Sequence, residues 1–277
     1  MSASSAYSTT RRRRSMPLWA RWLLAAGFVA ATIFVQGEFG PRASLSGRVE
    51  LPEGSYPYEL PRGASTDAPT QICIPTPDGR VSAMLYWRAP AGEGLFAPVP
   101  LARRDDQLVG VIPTQPAGGT TEYFVEVTTP RGPSRVPDGT ENVTVRFHDP
   151  VPDWLLWPHI GLTLLALLVG AYAGIAALLD PKAMLGPSRA AFLLVLVGGV
   201  ILGAAVEDRA FGAGLSGFPW SGDWTINKLT VISAVWLLAC VFPVTQRQRD
   251  GTPTRTLVGL AALVMLAAYA LPHSLAR

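Results

Sequence analysis

The sequence predicts a membrane-embedded bundle of five α-helices, with an all-β domain inserted between the first helix and the other four. Three observations carry that expectation. Of the 277 residues, 49% are hydrophobic and 16% charged, against about 25% charged in an ordinary soluble chain, and the mean hydropathy is +0.27. Five apolar runs reach the roughly 20 residues that cross a bilayer. Between the first two runs lies a Pro- and Gly-rich stretch with no spanning segment, whose short Val-, Phe- and Tyr-rich strings read as strands.

Taken in order, residues 1–16 read as a disordered cytoplasmic terminus, and Arg11 to Arg14 as a topology signal rather than a nucleic-acid patch. No aromatic-studded basic face supports nucleic-acid binding. The run "PLWARWLLAAGFVAATIFVQ" (17–36) reads as a signal anchor. Its apolar stretch is longer than a usual signal-peptide core and no clean A-x-A site follows, although a cleaved signal peptide remains the alternative. Residues 37–70 read as an extended periplasmic linker, and 52–70, with four prolines and no clear period, as a linker or edge segment.

Residues 71–150 read as a small antiparallel sandwich. "VSAMLYWRA" (81–89), "FAPVPLAR" (96–103), "DQLVGVIP" (106–113), "TEYFVEVT" (121–128) and "NVTVRFHD" (142–149) are separated by turn clusters such as "PAGEG" and "VPDGT". In the fourth, Tyr123, Val125 and Val127 alternate with Glu122, Phe124 and Glu126, which predicts one apolar face. Arg104, Asp105 and Asp106 mark the tip of a hairpin.

Residues 151–277 read as a four-helix bundle, with spans near 154–179, 190–206, 225–244 and 256–273. The basic residues of the short flanks assign the sides. Arg11 to Arg14, Lys182, Arg189, Arg247, Arg249 and Arg255 fall together if the spans alternate, and the positive-inside rule makes that side cytoplasmic. The 37–153 stretch, with 10 arginines, no lysine and 15 acids for a net of −5, then lies outside. The expected location is the bacterial cytoplasmic (inner) membrane, multi-pass. The N-terminus is cytoplasmic, and the β domain and C-terminus are periplasmic.

This topology collects polar residues at one surface. His159 near the start of the second span, Glu207 and Asp208 at the end of the third, Asp223, Asn227 and Lys228 at the start of the fourth, and His273 at the end of the fifth form a candidate polar cluster or ligand site. One reading is structural. Asp223 caps a helix and complements its dipole, Lys228 pairs or snorkels, and Trp154, Trp157, Trp220 and Trp224 form an interfacial belt. The other reading is a ligand site, in which His159 and His273 hold a b-type haem or a metal, or His159, Asn227 and Lys228 hold a quinone. His148 reads as a residue of the domain–membrane junction. Gly170 with Gly174, and Gly199 with Gly203, are small-xxx-small pairs that suit close helix packing, within the bundle or against another subunit. Cys73 and Cys240 belong to no metal or redox motif and lie on opposite sides of the membrane's midplane, so no disulfide is expected.

The string "VPLARRDDQLVGVIPTQPAGGTTEYFVEV" resembles the immunoglobulin or fibronectin type III-like modules of bacterial envelope proteins. "VPDWLLWPHIGL", "GAAVEDRAFGAGLSGFPWSGDWTINK" and "LPHSLAR" resemble an uncharacterised family of bacterial inner-membrane proteins that join such a periplasmic module to four membrane helices. Ile226 stands where that family often carries an acid, as D-x-T-D-N-K. The resemblance implies an architecture and no activity. No G-x-S-x-G, H-E-x-x-H or Walker A pattern occurs, and no pair of broken helices marks a transporter. The expectation is therefore a non-enzymatic accessory or scaffolding subunit of an integral membrane complex, respiratory or photosynthetic by analogy of architecture. Its partners are the bilayer, other membrane subunits and a periplasmic protein. It has no resident cofactor or metal, and the alternative is a haem-, metal- or quinone-binding redox protein.

Overall fold

The structure is a computed structural model and describes residues 16–39, 44–77, 79–214, 220, 224–245 and 249–271. The expected disordered terminus, Asp223 and His273 lie outside the described residues.

Among the described residues, five helices are long and apolar enough to cross a membrane: Leu18–Glu38, Asp153–Leu179, Pro181–Phe211, Ile226–Thr245 and Thr252–Ala270. They correspond to α1 (Leu18–Phe39), α2 (Asp153–Leu179), a composite third span, α5 (Trp224–Thr245) and α6 (Thr252–Ala270). The composite begins with a short 3₁₀ turn (Pro181–Ala183), continues as α3 (Leu185–Leu194) and a π-helical segment (Val195–Leu202), and ends as α4 (Gly203–Phe211). By length and composition this is a multi-pass membrane protein. The third span is longer at both ends than the expected 190–206, because Pro187 sits in the first turn of α3, where no N–H is needed, and charged "EDR" continues the helix beyond the apolar run. It stops at Gly212, whose left-handed backbone (φ 67°) returns its N–H to Asp208 O. The last span starts earlier and stops earlier than 256–273, with Pro253 in its first turn.

Spans consecutive in the chain alternate in direction. The Arg21 guanidinium of α1 donates to Asp180 at the end of α2, 2.9 Å away. Arg255 of α6 donates to the Ala177 carbonyl at 2.8 Å. The small-residue pairs face the protein's own helices. A methyl group at Gly170 would meet Met265 Cε at 2.2 Å, at Gly174 Ala262 Cβ at 2.6 Å, and at Gly199 Leu229 Cδ1 at 2.8 Å. Around these contacts Trp236, Met265, Ala173, Ala176, Ala261 and Val258 are completely buried.

Among the described residues, the inserted region has eleven strands in three sheets. A six-stranded sheet has the path β3-β11-β9-β5-β6, with β10 also paired to β9. It consists of β3 (Gly63–Ser65), β5 (Ser82–Arg88), β6 (Ala97–Pro100), β9 (Thr120–Thr129), β10 (Gly132–Val136) and β11 (Val143–His148). A three-stranded sheet has the order β4-β8-β7, from β4 (Thr70–Pro75), β7 (Ala102–Arg104) and β8 (Gln107–Ile112). The two share one apolar core, in which Ile72, Ile74, Leu108 and Ile112 meet Leu85, Tyr123, Val125, Val127 and Phe147. The alternation anticipated in "TEYFVEVT" holds, with Tyr123, Val125 and Val127 fully buried. So does the hairpin tip: Arg104 pairs with Gln107 across Asp105, whose φ of 49° an aspartate tolerates.

Two expectations require correction. Residues 37–70 are not a linker. Residues 44–61 form an antiparallel hairpin of β1 (Ser44–Leu51) and β2 (Gly54–Pro61), followed by β3. Val49, Leu51, Tyr58 and Leu60 bury themselves in the sandwich core, and Tyr123 Oη ties the hairpin down by donating to Pro61 O at 3.0 Å. The prolines are accommodated because a two-stranded ribbon has a free edge on each strand, where no N–H is required. The run 96–103 is likewise not one strand. It breaks at the buried Leu101, whose N–H donates to Ala83 O at 2.9 Å, and β6 and β7 fall in different sheets, a corner of the kind that joins packed sheets.

On the outer face of the six-stranded sheet, Glu122 accepts from Arg88 (2.7 Å) and from the Gly92 N–H (2.9 Å), and from Asn142, which in turn accepts from Arg135. Burial alone would raise the Glu122 carboxyl, but these donors outweigh it and hold its pKa below the ordinary carboxylate value. A depressed carboxylate stabilises the fold above its unfolded pKa and loses that contribution as pH falls through the folded value. Thermal unfolding of the β domain should therefore become easier below pH 4.5, and Glu122→Gln should remove that part of the pH dependence. An unchanged pH profile in the variant would refute the assignment. In the bundle, Gly174→Val should cost about 1–3 kcal/mol through overpacking, read as a lower unfolding midpoint in detergent. Gly161→Ala, where nothing lies within 4 Å, should not lower it.

Candidate functional site at the domain–bundle junction

His159 lies in the second turn of α2, because the helix begins at Asp153 with an acid at its positive end. Its ring faces the third span rather than a vacant site. The Nδ1–H donates to the Gly198 carbonyl at 2.7 Å, and a methyl at Gly203 would stand 3.3 Å from its Cε1. Gly198 belongs to the π segment. Such a wide turn needs room and a partner for a carbonyl that leaves the α ladder. Here the Gly198–Gly199 pair provides room, since a Cβ at Gly198 would collide with Leu162 Cβ at 2.7 Å, and His159 adds a donor to Gly198 O from outside the helix.

The remaining candidates divide. On α4, Glu207 is half-buried and Asp208 exposed. On α5, Asn227 is half-buried, and Lys228 Nζ donates to Leu271 O at the end of α6, 2.7 Å away. Lys228 thus closes a carbonyl that the helix ladder leaves open. The structure brings His159 to the π segment and Lys228 to the α6 terminus. Among the described residues, no group of three or more His, Cys, Asp or Glu side chains could hold a metal ion. Trp154, Trp157 and Trp220 are exposed at this end of the molecule, by 75%, 64% and 65%. Trp224 starts α5, but its side chain lies outside the described residues. Cys73 and Cys240 are free.

The residues that seat the β domain were not singled out in the sequence. β11 runs directly into the bundle, and the Asp149 N–H donates to Ala210 O at 2.8 Å. Next to Ala210, the Phe211 ring lies under the Arg146 guanidinium, 3.9 Å from the centroid, a geometry that attracts through the ring quadrupole. His148, anticipated at the junction, stands edge-on to the same ring at 6.4 Å. The loop before β9 completes the seat. Gly118 has φ 80° and approaches so closely that a Cβ would lie 3.3 Å from Phe211 O, while its N–H donates to Phe147 O at 2.9 Å. Thr66 donates its hydroxyl to the Asp149 carboxylate. The available sequence signals were Phe211 before the glycine stop and Arg146 at the outward position of its strand, neither of which names its partner.

The opposite end of the bundle is tied by Arg21 to Asp180 and by Arg255 to the Ala177 and Leu178 carbonyls, with Trp22 stacked on Tyr172 at 4.2 Å. Lys182, Arg189 and Arg249 are exposed there. No protein-family model matches the chain, and no curated protein matches it in sequence.

Replacing Lys228 by Met keeps its stem and removes its donor. The last turn of α6 should then fray, with amide exchange at residues 268–271 rising about tenfold, as expected for one charged hydrogen bond of about 1.5 kcal/mol. Unchanged protection there would show that Leu271 O needs no such donor.

Proposed function

We propose that this chain is a non-enzymatic accessory or scaffolding subunit of an integral membrane complex, with its β domain and the outer loop before α5 docking a partner. The observation that carries the reading is the junction itself. Phe211, Arg146 and Asp149 fasten the β domain to the end of the third span through directional contacts. A domain held at a fixed height and angle presents a partner-binding surface at low orientational cost. The absence of nucleophile, zinc and nucleotide motifs from the sequence agrees with it.

The strand order supports the immunoglobulin-like part of the reading. β11-β9-β5-β6 opposite β4-β8-β7 corresponds to strands G, F, C and C′ opposite B, E and D of that fold. β3 and β10 are additions to the first sheet, and the β1–β2 hairpin is a further one. The end of the bundle away from the β domain carries exposed Lys182, Arg189 and Arg249, so the positive-inside rule turns the β domain outward, into the periplasm of a bacterial inner membrane.

Isolation of the full chain in mild detergent is expected to yield stable co-eluting membrane subunits, and a clean monomer would overturn the scaffolding role. A cytosolic reporter at the C-terminus would overturn the orientation. The redox reading retains one observation. With Nδ1–H committed to Gly198, Nε2 is the ring nitrogen left for a metal or a quinol hydroxyl. A visible absorption band in the isolated protein, lost in His159→Ala, would favour that reading instead.

A further inference from the structure

The π segment and the β-domain seat lie on the same helix. Val195–Leu202 reads "VLVGGVIL", with no polar side chain of its own to hold an open turn. What keeps it open comes from outside: the His159 donor on Gly198 O, and the pressure of Leu162 and Leu229 on glycines without a Cβ. A π turn takes in one residue more than an α turn and is the less common state of a helix, so the α register is its natural competitor. Removing the His159 donor takes away a contact that favours the wide register at Gly198 O, and so favours that competitor.

Downstream, α4 is an uninterrupted helix from Gly203 to Phe211. Its last two residues carry three contacts to the β domain, the Ala210 carbonyl to Asp149, the Phe211 ring to Arg146, and the Phe211 carbonyl beside Gly118. Closing the π segment to α would turn α4 by about 100° and shift it by about 1.5 Å relative to α3. The three contacts point in fixed directions from the helix end and cannot all survive that rotation.

We propose that the third span is a two-register coupling element, in which His159 on Gly198 O holds the π register and the π register sets the seating of the β domain through Phe211. The device links the interior of the bundle to the outer domain over 13 residues, about 20 Å of helix. It does not depend on the scaffolding reading. Because the linkage is thermodynamic, it acts in both directions: loosening the seat relaxes the π segment, and removing the donor relaxes the seat.

Amide exchange on the full chain in lipid nanodiscs tests it. His159→Ala should speed exchange at the Phe147 and Asp149 amides by about tenfold, the factor given by about 1.4 kcal/mol. His159→Asn, whose Nδ2 occupies the place of the imidazole Nδ1, should restore protection. In the reverse direction, Phe211→Leu should speed exchange at residues 200–204. Junction protection unchanged in His159→Ala, or lost equally in His159→Asn, would overturn the proposal. An effect of Phe211→Leu confined to the junction would do the same, and that arm decides the matter if His159→Ala does not fold.

Discussion

An apolar helix in a bilayer can leave no backbone carbonyl without a donor, because no water is present to supply one. That constraint explains much of the bundle. At three places where an apolar helix ends or widens, a side chain from another helix donates to a backbone carbonyl. His159 reaches from α2 to Gly198 O, Lys228 from α5 to Leu271 O, and Arg255 from α6 to the Ala177 and Leu178 carbonyls. The polar residues that stand out in an apolar sequence therefore complete the backbone of their neighbours, which orders the helices relative to one another as well as satisfying them.

The β domain meets the same demand differently, through two sheets that share one core, while prolines lie on edges that need no donor. Its attachment to the bundle is short and directional. A carbonyl of α4 accepts from the strand end, and an aromatic ring beside it lies under an arginine. These contacts fix the orientation of the domain, which an apolar patch alone would leave free to slide. On the outer face, Glu122 is held by Arg88, Asn142 and the Gly92 amide.

Several elements were legible in the sequence because their signals are local. The spanning runs, the alternation of Tyr123, Val125 and Val127, and the Asp105–Asp106 turn each follow from a few consecutive residues. The β1–β2 hairpin was hidden although Val49, Leu51, Tyr58 and Leu60 alternate, because Pro52, Pro57 and Pro61 mask a strand unless its free edges are known. The π segment has no signature beyond two adjacent glycines. His159 was recognised as unusual, but the carbonyl that it serves lies 39 residues away.

Composition and periodicity by themselves determined that this chain builds five apolar helices and a strand-rich insert, since burial of apolar surface and helix length against bilayer thickness depend only on local pattern. Tertiary structure alone decided which carbonyl each polar side chain completes, where the third span widens, and how Phe211 seats the β domain. Those outcomes depend on distances between segments far apart in the chain, and a hydrogen bond or ring contact has no energy until the fold has brought both partners to within a few ångströms.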